Sequence, residues 1–345
     1  MPDWQRALAA AIRDAGELRS LLGLAEDAAG GDAGFPVRVP RGYAARMRRG
    51  DPHDPLLAQV LPSAAETREV PGFGPDPVGD RAAMMRPGVL HKYRGRVLLI
   101  TTGACGIHCR YCFRREFPYA DANPRPNDWQ AAIDYIAADD SIEEVILSGG
   151  DPLSLPDPKL ADLVGRIEEI PHVGTLRIHT RLPVVLPERV DDALCAWLGG
   201  TRLATVVVLH ANHGNEIDAS VGSAVGRLRA TGALVLNQAV LLRGVNDDVD
   251  AMVELSRRLF ATGVLPYYLH MLDPVRGAAR FEIGSREARR LMAAVAARLP
   301  GYLVPRLVVE QAGRPGKTPL AHDWYGDNND MTMPTLDAAG GPATP

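Results

Sequence analysis

The chain has 345 residues, 46% of them hydrophobic, with a formal net charge of −4 and a pI near 6.2. That is enough for one large α/β domain with smaller additions, and the charge balance gives no reason to expect nucleic-acid binding. The opening Met1-Pro2-Asp3-Trp4 lacks the apolar run of a secretory signal, and no stretch approaches the ~18 uncharged apolar residues of a membrane span, so a cytoplasmic protein away from membranes is expected.

Residues 3–24 predict an amphipathic helix or two short ones, carrying Trp4, Leu8, Ile12, Leu18, Leu21 and Leu22. Gly and Asp interrupt the pattern at 30–34, and 51–90 is rich in Pro, Gly and Asp with little periodicity. Residues 1–88 are therefore expected to form a helical and loop layer outside the catalytic core. From residue 96 the pattern changes. Apolar runs at 97–101, 144–148, 175–179, 203–209, 234–240 and 264–270 alternate with helical patterns near 128–138, 159–170, 188–198, 220–231, 249–262 and 285–298. Short continuous apolar strands separated by helices predict a parallel sheet, here a partial (β/α)6 TIM-like barrel over 89–300. A further run at 303–310 leads into Gly313-Arg314-Pro315-Gly316-Lys317, within a segment taken as 301–326. The tail, 327–345, has few large apolar residues and is expected to be disordered.

Three of the four cysteines, Cys105, Cys109 and Cys112, have C-x3-C-x2-C spacing. A disulfide framework spreads its cysteines in pairs. Three thiolates can instead hold three irons of a [4Fe–4S] cluster and leave the fourth iron to chelate a small molecule, whereas ordinary electron-transfer clusters use four cysteines. An open iron can pass one electron to a bound sulfonium and start radical chemistry. The alternative is a zinc site completed by His108 in a non-catalytic barrel, but zinc loops come in two halves and no second half is present. Cys195 sits in a helical apolar pattern, where a buried thiol serves as a small hydrophobe.

In parallel barrels chemistry gathers at the C-terminal ends of the strands. The polar groups here fall there. Ser148-Gly149-Gly150-Asp151 follows the second run, His179-Thr180-Arg181 the third, His210 and His213 the fourth, Asn237-Gln238 lies in the fifth, and His270 and Asp273 end the sixth. They predict one ring around a common mouth.

The cysteine spacing, the following Ser-Gly-Gly-Asp-Pro turn and several longer stretches together resemble radical S-adenosylmethionine (SAM) enzymes, and within them the lysine 2,3-aminomutase family. Those stretches are Leu90-His-Lys-Tyr-Arg-Gly-Arg, Cys109-Arg-Tyr-Cys-Phe-Arg-Arg, Arg181-Leu-Pro-Val-Val-Leu-Pro, Asn212-His-Gly-Asn-Glu-Ile, Pro266-Tyr-Tyr-Leu and Gly316-Lys-Thr-Pro. The resemblance covers about 88–321. Arg38-Val-Pro-Arg, Asp54-Pro-Leu-Leu, Pro71-Gly-Phe and His270-Met-Leu-Asp-Pro-Val-Arg are similar to the subgroup that makes (R)-β-lysine for modification of elongation factor P.

The resemblance implies a radical SAM barrel, a [4Fe–4S] cluster on Cys105, Cys109 and Cys112, SAM, and pyridoxal phosphate (PLP) held on Lys317. It implies that Lys92, Tyr93 and Arg96 contact the PLP phosphate. Ser148, Gly149, Gly150, Asp151, His210 and Gln238 would contact SAM. Arg114 would hold the substrate α-carboxylate, and Asp273 and Glu310 its distal ammonium. Two acids suit a cationic substrate, of which L-lysine is the simplest. Glu310 stands where the free-lysine enzymes commonly have Asp, as in the elongation factor P subgroup. The implied reaction is migration of the amino group from C2 to C3 after a 5′-deoxyadenosyl radical removes hydrogen from C3. The implied partners are an electron donor such as flavodoxin or ferredoxin and, functionally, an elongation factor P lysyl ligase. A free-lysine aminomutase serving catabolism, osmolyte or antibiotic synthesis shares the same residues and remains the alternative.

Overall fold

The computed structural model describes residues 1–25, 34–122 and 129–323. The tail expected from 327 onward lies outside the described residues. Ten strands form one sheet in sequence order. They are β1 (Met84–Arg86), β2 (Val89–Tyr93), β3 (Arg96–Thr102), β4 (Glu144–Gly149), β5 (Thr175–Thr180), β6 (Ala204–His210), β7 (Leu234–Val240), β8 (Leu265–His270), β9 (Arg306–Val309) and β10 (Thr318–Pro319). β3 through β9 pair in parallel, while β1, β2 and β10 are antiparallel additions. The six expected strands are therefore joined by a seventh parallel strand, β9. Short β1 and β2 were not expected within the Pro/Gly-rich segment.

Apolar runs build the buried parts of the parallel strands, most completely in the central stretch of β4, while β5 alternates buried residues with Arg177 and His179 on a central cavity. In β4, Val145, Ile146 and Leu147 are all buried. The helices use one face each. Ser285–Ala296 buries Ala288, Leu291, Met292 and Val295, the spacing that places side chains on one side of a helix. Val249–Thr262 starts where the Asp248 side chain accepts from the Ala251 amide and ends at Gly263 in a left-handed cap (φ 87°).

The N-terminal layer contains the two expected short helices, Asp3–Ala9 and Ala15–Leu22. Trp4 is buried, with the Arg189 guanidinium 4.6 Å from its ring centroid. Ile12 and Val39 exchange backbone hydrogen bonds. Asp54, fully buried, caps the helix Pro55–Ala58 through the amides of Leu56 and Leu57. This layer continues one apolar core with the barrel. No helix among the described residues is long and apolar enough to cross a membrane.

Candidate active site

The strand register brings most of the polar strand ends together. Ile100 lies beside Ser148, Thr180 beside Leu209, His210 beside Gln238 and Val240 beside His270. A cavity of about 310 Å³ opens there. Every residue singled out from the sequence as a cluster, cofactor or substrate contact lines it, from Cys105, Cys109 and Cys112 to Glu310 and Lys317. Two members of the expected ring do not line it: His213 accepts from the Asn215 amide, and the Asn237 side chain is bonded to the Ala211 backbone. The cavity is not confined to the C-terminal ends of the strands. Arg96, the first residue of β3, and Arg177, in the first half of β5, line it too.

The cysteines lie in the loop after β3, partly exposed and all on the cavity. That loop is seated on the turn after β4. A Cβ on Gly150 would lie 2.3 Å from the Ala104 carbonyl oxygen, and one on Gly149, whose φ is 121°, 2.6 Å from that of Thr102. The two glycines are thus required by close approach of backbone to backbone, a reason additional to ligand access. Asp151 is likewise committed within the protein. Its buried carboxylate accepts from the Thr180 hydroxyl and from the amides of Leu153, Arg181 and Leu182. It ties β4 to β5 and fixes the shape of the turn. Burial, Cys112, Asp151 and Cys109 all push the Cys105 thiol up, and burial with Cys109 pushes Cys112 up to about 11. Thiols such as Cys105 and Cys112 become thiolates when positive charge is bound beside them.

A chain of alternating charges crosses the other side of the cavity. Arg114 Nε donates to Asp80 Oδ2 at 2.7 Å; Lys92 Nζ lies 2.6 Å from Asp80 Oδ1 and 2.9 Å from Glu310 Oε1; Glu310 Oε2 accepts from Lys317. Because Lys92 is on β2 and Glu310 follows β9, these pairs bridge the two ends of the curled sheet. Burial pushes the Asp80 carboxyl up, yet Arg114 and Lys92 outweigh it and hold it below the carboxylate range. Burial also opposes ionisation of Glu310, and Lys317 and Lys92 bring it down to about 2. Asp273 is the opposite case: burial and the neighbouring Glu310 charge push it up to about 7. The two acids expected to hold an ammonium are thus near each other and differently charged.

Most of these side chains also have partners within the protein. Lys92 engages carboxylates, donating also to the Val78 carbonyl at 2.9 Å, and burial with the Glu310 charge pushes the Tyr93 hydroxyl up. Arg96 stacks 4.8 Å from the Tyr93 ring centroid. Arg114 is held by Asp80 and by the Ser148 hydroxyl at 3.3 Å. His210 and Gln238 hydrogen-bond each other, and burial, Arg181 and Lys317 lower His210 to about 3, so its imidazole is neutral. Sequence reasoning missed Asp80, which lies in the segment placed outside the core. Its only local signal is an acid near the Lys92-Tyr93 stretch, and its partners, Lys92 and Arg114, come from two other segments. Sequence reasoning places Arg181 in the ring of polar strand ends but gives it no role of its own; its side chain is buried and hydrogen-bonds Cys109 Sγ.

His108 turns away from the cavity. Its Nδ1 pairs with the Pro36 carbonyl at 2.9 Å and its ring lies against Phe35. Among the described residues no three His, Cys, Asp or Glu side chains converge to hold a single metal ion.

An open cavity at the mouth of a parallel barrel, lined by C-x3-C-x2-C, is the arrangement of a radical SAM enzyme, and residues 99–255 match the Radical SAM superfamily. The chain is 46% identical over 323 residues to the L-lysine 2,3-aminomutase of Escherichia coli (strain K12), covering 92% of this chain and 94% of that protein. It is 48% identical over 321 residues to the L-lysine 2,3-aminomutase of Haemophilus influenzae, covering 92% and 95%, and 33% identical to that of Clostridium subterminale, covering 92% and 77%. The chain belongs to the lysine 2,3-aminomutase family of radical SAM enzymes and is an isomerase.

Its cofactors are a [4Fe–4S] cluster, SAM and PLP. The residues present fit them. The cysteines share one cavity with Lys317, and Nε of Arg181 and Nε2 of His179, both on that cavity, are buried without a hydrogen-bond partner among the described residues. Unpaired buried donors or acceptors are costly and mark where a polar ligand belongs.

Proposed function

We propose that this enzyme converts L-lysine to (R)-β-lysine by moving the amino group from C2 to C3, and that the product is destined for elongation factor P. The observation that carries the substrate is the pair Asp273 and Glu310 in the same cavity as Lys317 and the three cysteines. Two carboxylates recognise a cationic side chain, and a substrate with a side-chain carboxylate would be repelled there. Relatives bearing the name L-lysine 2,3-aminomutase support the same substrate.

In this reading Cys105, Cys109 and Cys112 hold the cluster, and Lys317 carries PLP. When bound, these groups supply one-electron cleavage of SAM and a route for nitrogen migration that a free ammonium lacks. Arg114 presents a planar guanidinium to the α-carboxylate, with Asp80 fixing its orientation. Lys92, Tyr93 and Arg96 stand at the phosphate end. Lysine's ε-ammonium enters beside Asp273 and Glu310, where it takes over part of the charge balance that Lys92 and Lys317 provide. The SAM side is formed by Ser148, the Gly149-Gly150 turn, Asp151 through its hold on that turn, His210 and Gln238. Glu310, which follows β9, Lys317, which precedes β10, and Asp80 complete the wall of the site.

The elongation factor P destination is supported by the stretches 38–41, 54–57, 71–73 and 270–276 and by Glu310 in place of Asp. The test is anaerobic incubation of the reconstituted chain with L-lysine, SAM, PLP and a reductant, followed by chiral chromatography. (R)-β-lysine is expected, and (S)-β-lysine contradicts the assignment. Elongation factor P from cells lacking this chain should carry no β-lysyl group by intact-mass spectrometry; unchanged modification favours a free-lysine role.

A further inference from the structure

Arg181 follows β5 and is 5% exposed. Its guanidinium is the centre of a buried polar cluster. Nη1 donates to Cys109 Sγ and, at 2.6 Å, to the Tyr111 hydroxyl. Nη2 donates to Gln59 Oε1 at 2.7 Å, Glu216 Oε2 at 2.9 Å and the Tyr43 hydroxyl at 3.2 Å. Asn212 closes the cluster, its amide nitrogen donating to Gln59 at 2.9 Å and to Tyr111 at 2.7 Å. Burial pushes both tyrosines well above their ordinary range, so their hydroxyls are neutral. Arginine keeps its charge in proteins. The Arg181 charge is therefore balanced by Glu216, fully buried on its far side, and otherwise faces the Cys109 sulfur.

We infer that Arg181, oriented by Glu216, is a positioning residue that sets the reduction potential of the cluster by donating a charged hydrogen bond to the Cys109 sulfur. This rests on the reading that Cys109 is a cluster ligand. Reduction adds one negative charge to the cluster. A guanidinium against a ligand sulfur stabilises that charge in a buried, low-dielectric setting, and hydrogen bonds to sulfur are a recognised lever on cluster potential. Glu216 opposes the effect by its own negative charge while holding the guanidinium in place. Tyr43 and Gln59 come from the N-terminal layer, so that layer also fixes the donor's geometry.

The measurement is an EPR-monitored redox titration of the anaerobically reconstituted full chain, with iron and sulfide counted in each sample. Arg181→Gln should shift the midpoint potential negative, and Glu216→Gln should shift it positive. Arg181→Lys, which keeps the charge, should fall between wild type and Arg181→Gln. A merely structural role does not give shifts of opposite sign. Unchanged potentials, or shifts of the same sign, in cluster-loaded variants overturn the inference. If Arg181→Gln takes up no cluster, Glu216→Gln decides alone: a positive shift supports the inference and any other result overturns it. Loss of loading in both variants makes the role structural and overturns it as well. A wild-type chain that takes up no iron and sulfide overturns the cluster assignment itself, which the wild-type sample reveals directly.

Discussion

At the residue scale, the informative contrast is between Asp273 and Glu310. Both carboxylates lie in one cavity, yet Glu310 is drawn down to about 2 by Lys317 and Lys92 while burial and Glu310 itself raise Asp273 to about 7. Two like charges at close quarters with limited counter-charge divide in this way. In the free enzyme Asp273 is ionised above that value and protonated below it. Capture of an ammonium needs the ionised form. As pH falls below 7, kcat/KM for lysine should therefore drop by about tenfold per unit, with an inflection that reports the free enzyme. Asp273→Asn should lower kcat/KM across the range and remove that inflection. A profile with the same inflection in the variant assigns it to another group.

At the scale of elements, the turn after β4 and the cysteine loop after β3 form one unit. Ala104 and Thr102 carbonyls press on Gly150 and Gly149, and Asp151 Oδ2 receives the amides that follow β5. Gly150→Ala sets a methyl group 2.3 Å from the Ala104 carbonyl oxygen, and because the obstacle is backbone it must be relieved by shifting the cysteine loop. Overpacking of this kind costs about 1–3 kcal/mol. The variant should fold with unchanged far-ultraviolet circular dichroism but hold less iron and sulfide per chain after reconstitution than wild type. Full loading would show that the loop yields without disturbing the cysteines. The parallel strands were legible because each carries an apolar run, as in Val145–Leu147, separated from the next by a helical pattern. The hairpin of β1 and β2 was not legible: β1 has three residues, largely exposed, and pairs only with β2, which is itself held by β3. The site shows the same division. Cysteine spacing and Lys317 are local signals, whereas Asp80 and Arg181 owe their roles to partners on other segments: Lys92 and Arg114 for Asp80, Cys109 and Glu216 for Arg181.

At the scale of the whole molecule, the N-terminal layer is fastened to the catalytic loop by a buried charge cluster rather than by apolar contact alone. Glu66, fully buried, accepts from Arg110 Nε at 3.0 and 3.1 Å and from Arg115 Nη2 at 3.0 Å, and Arg280 Nη2 lies 3.7 Å away. Arg110 is itself the residue between Cys109 and Tyr111, and it also donates to the Phe35 carbonyl at 2.7 Å. One carboxylate thus joins the layer, the cysteine loop and the 3-10 turn Ala279–Phe281 that precedes the last barrel helix. Removing it strands two buried guanidiniums, and breaking a buried pair in this way costs about 3–5 kcal/mol. Glu66→Gln keeps the shape and the hydrogen-bond acceptor but removes the charge. The urea midpoint of the reconstituted protein should fall, and limited proteolysis should cut the N-terminal layer before the barrel. An unchanged midpoint together with unchanged proteolysis would mean that the apolar core shared by layer and barrel is sufficient to hold them together.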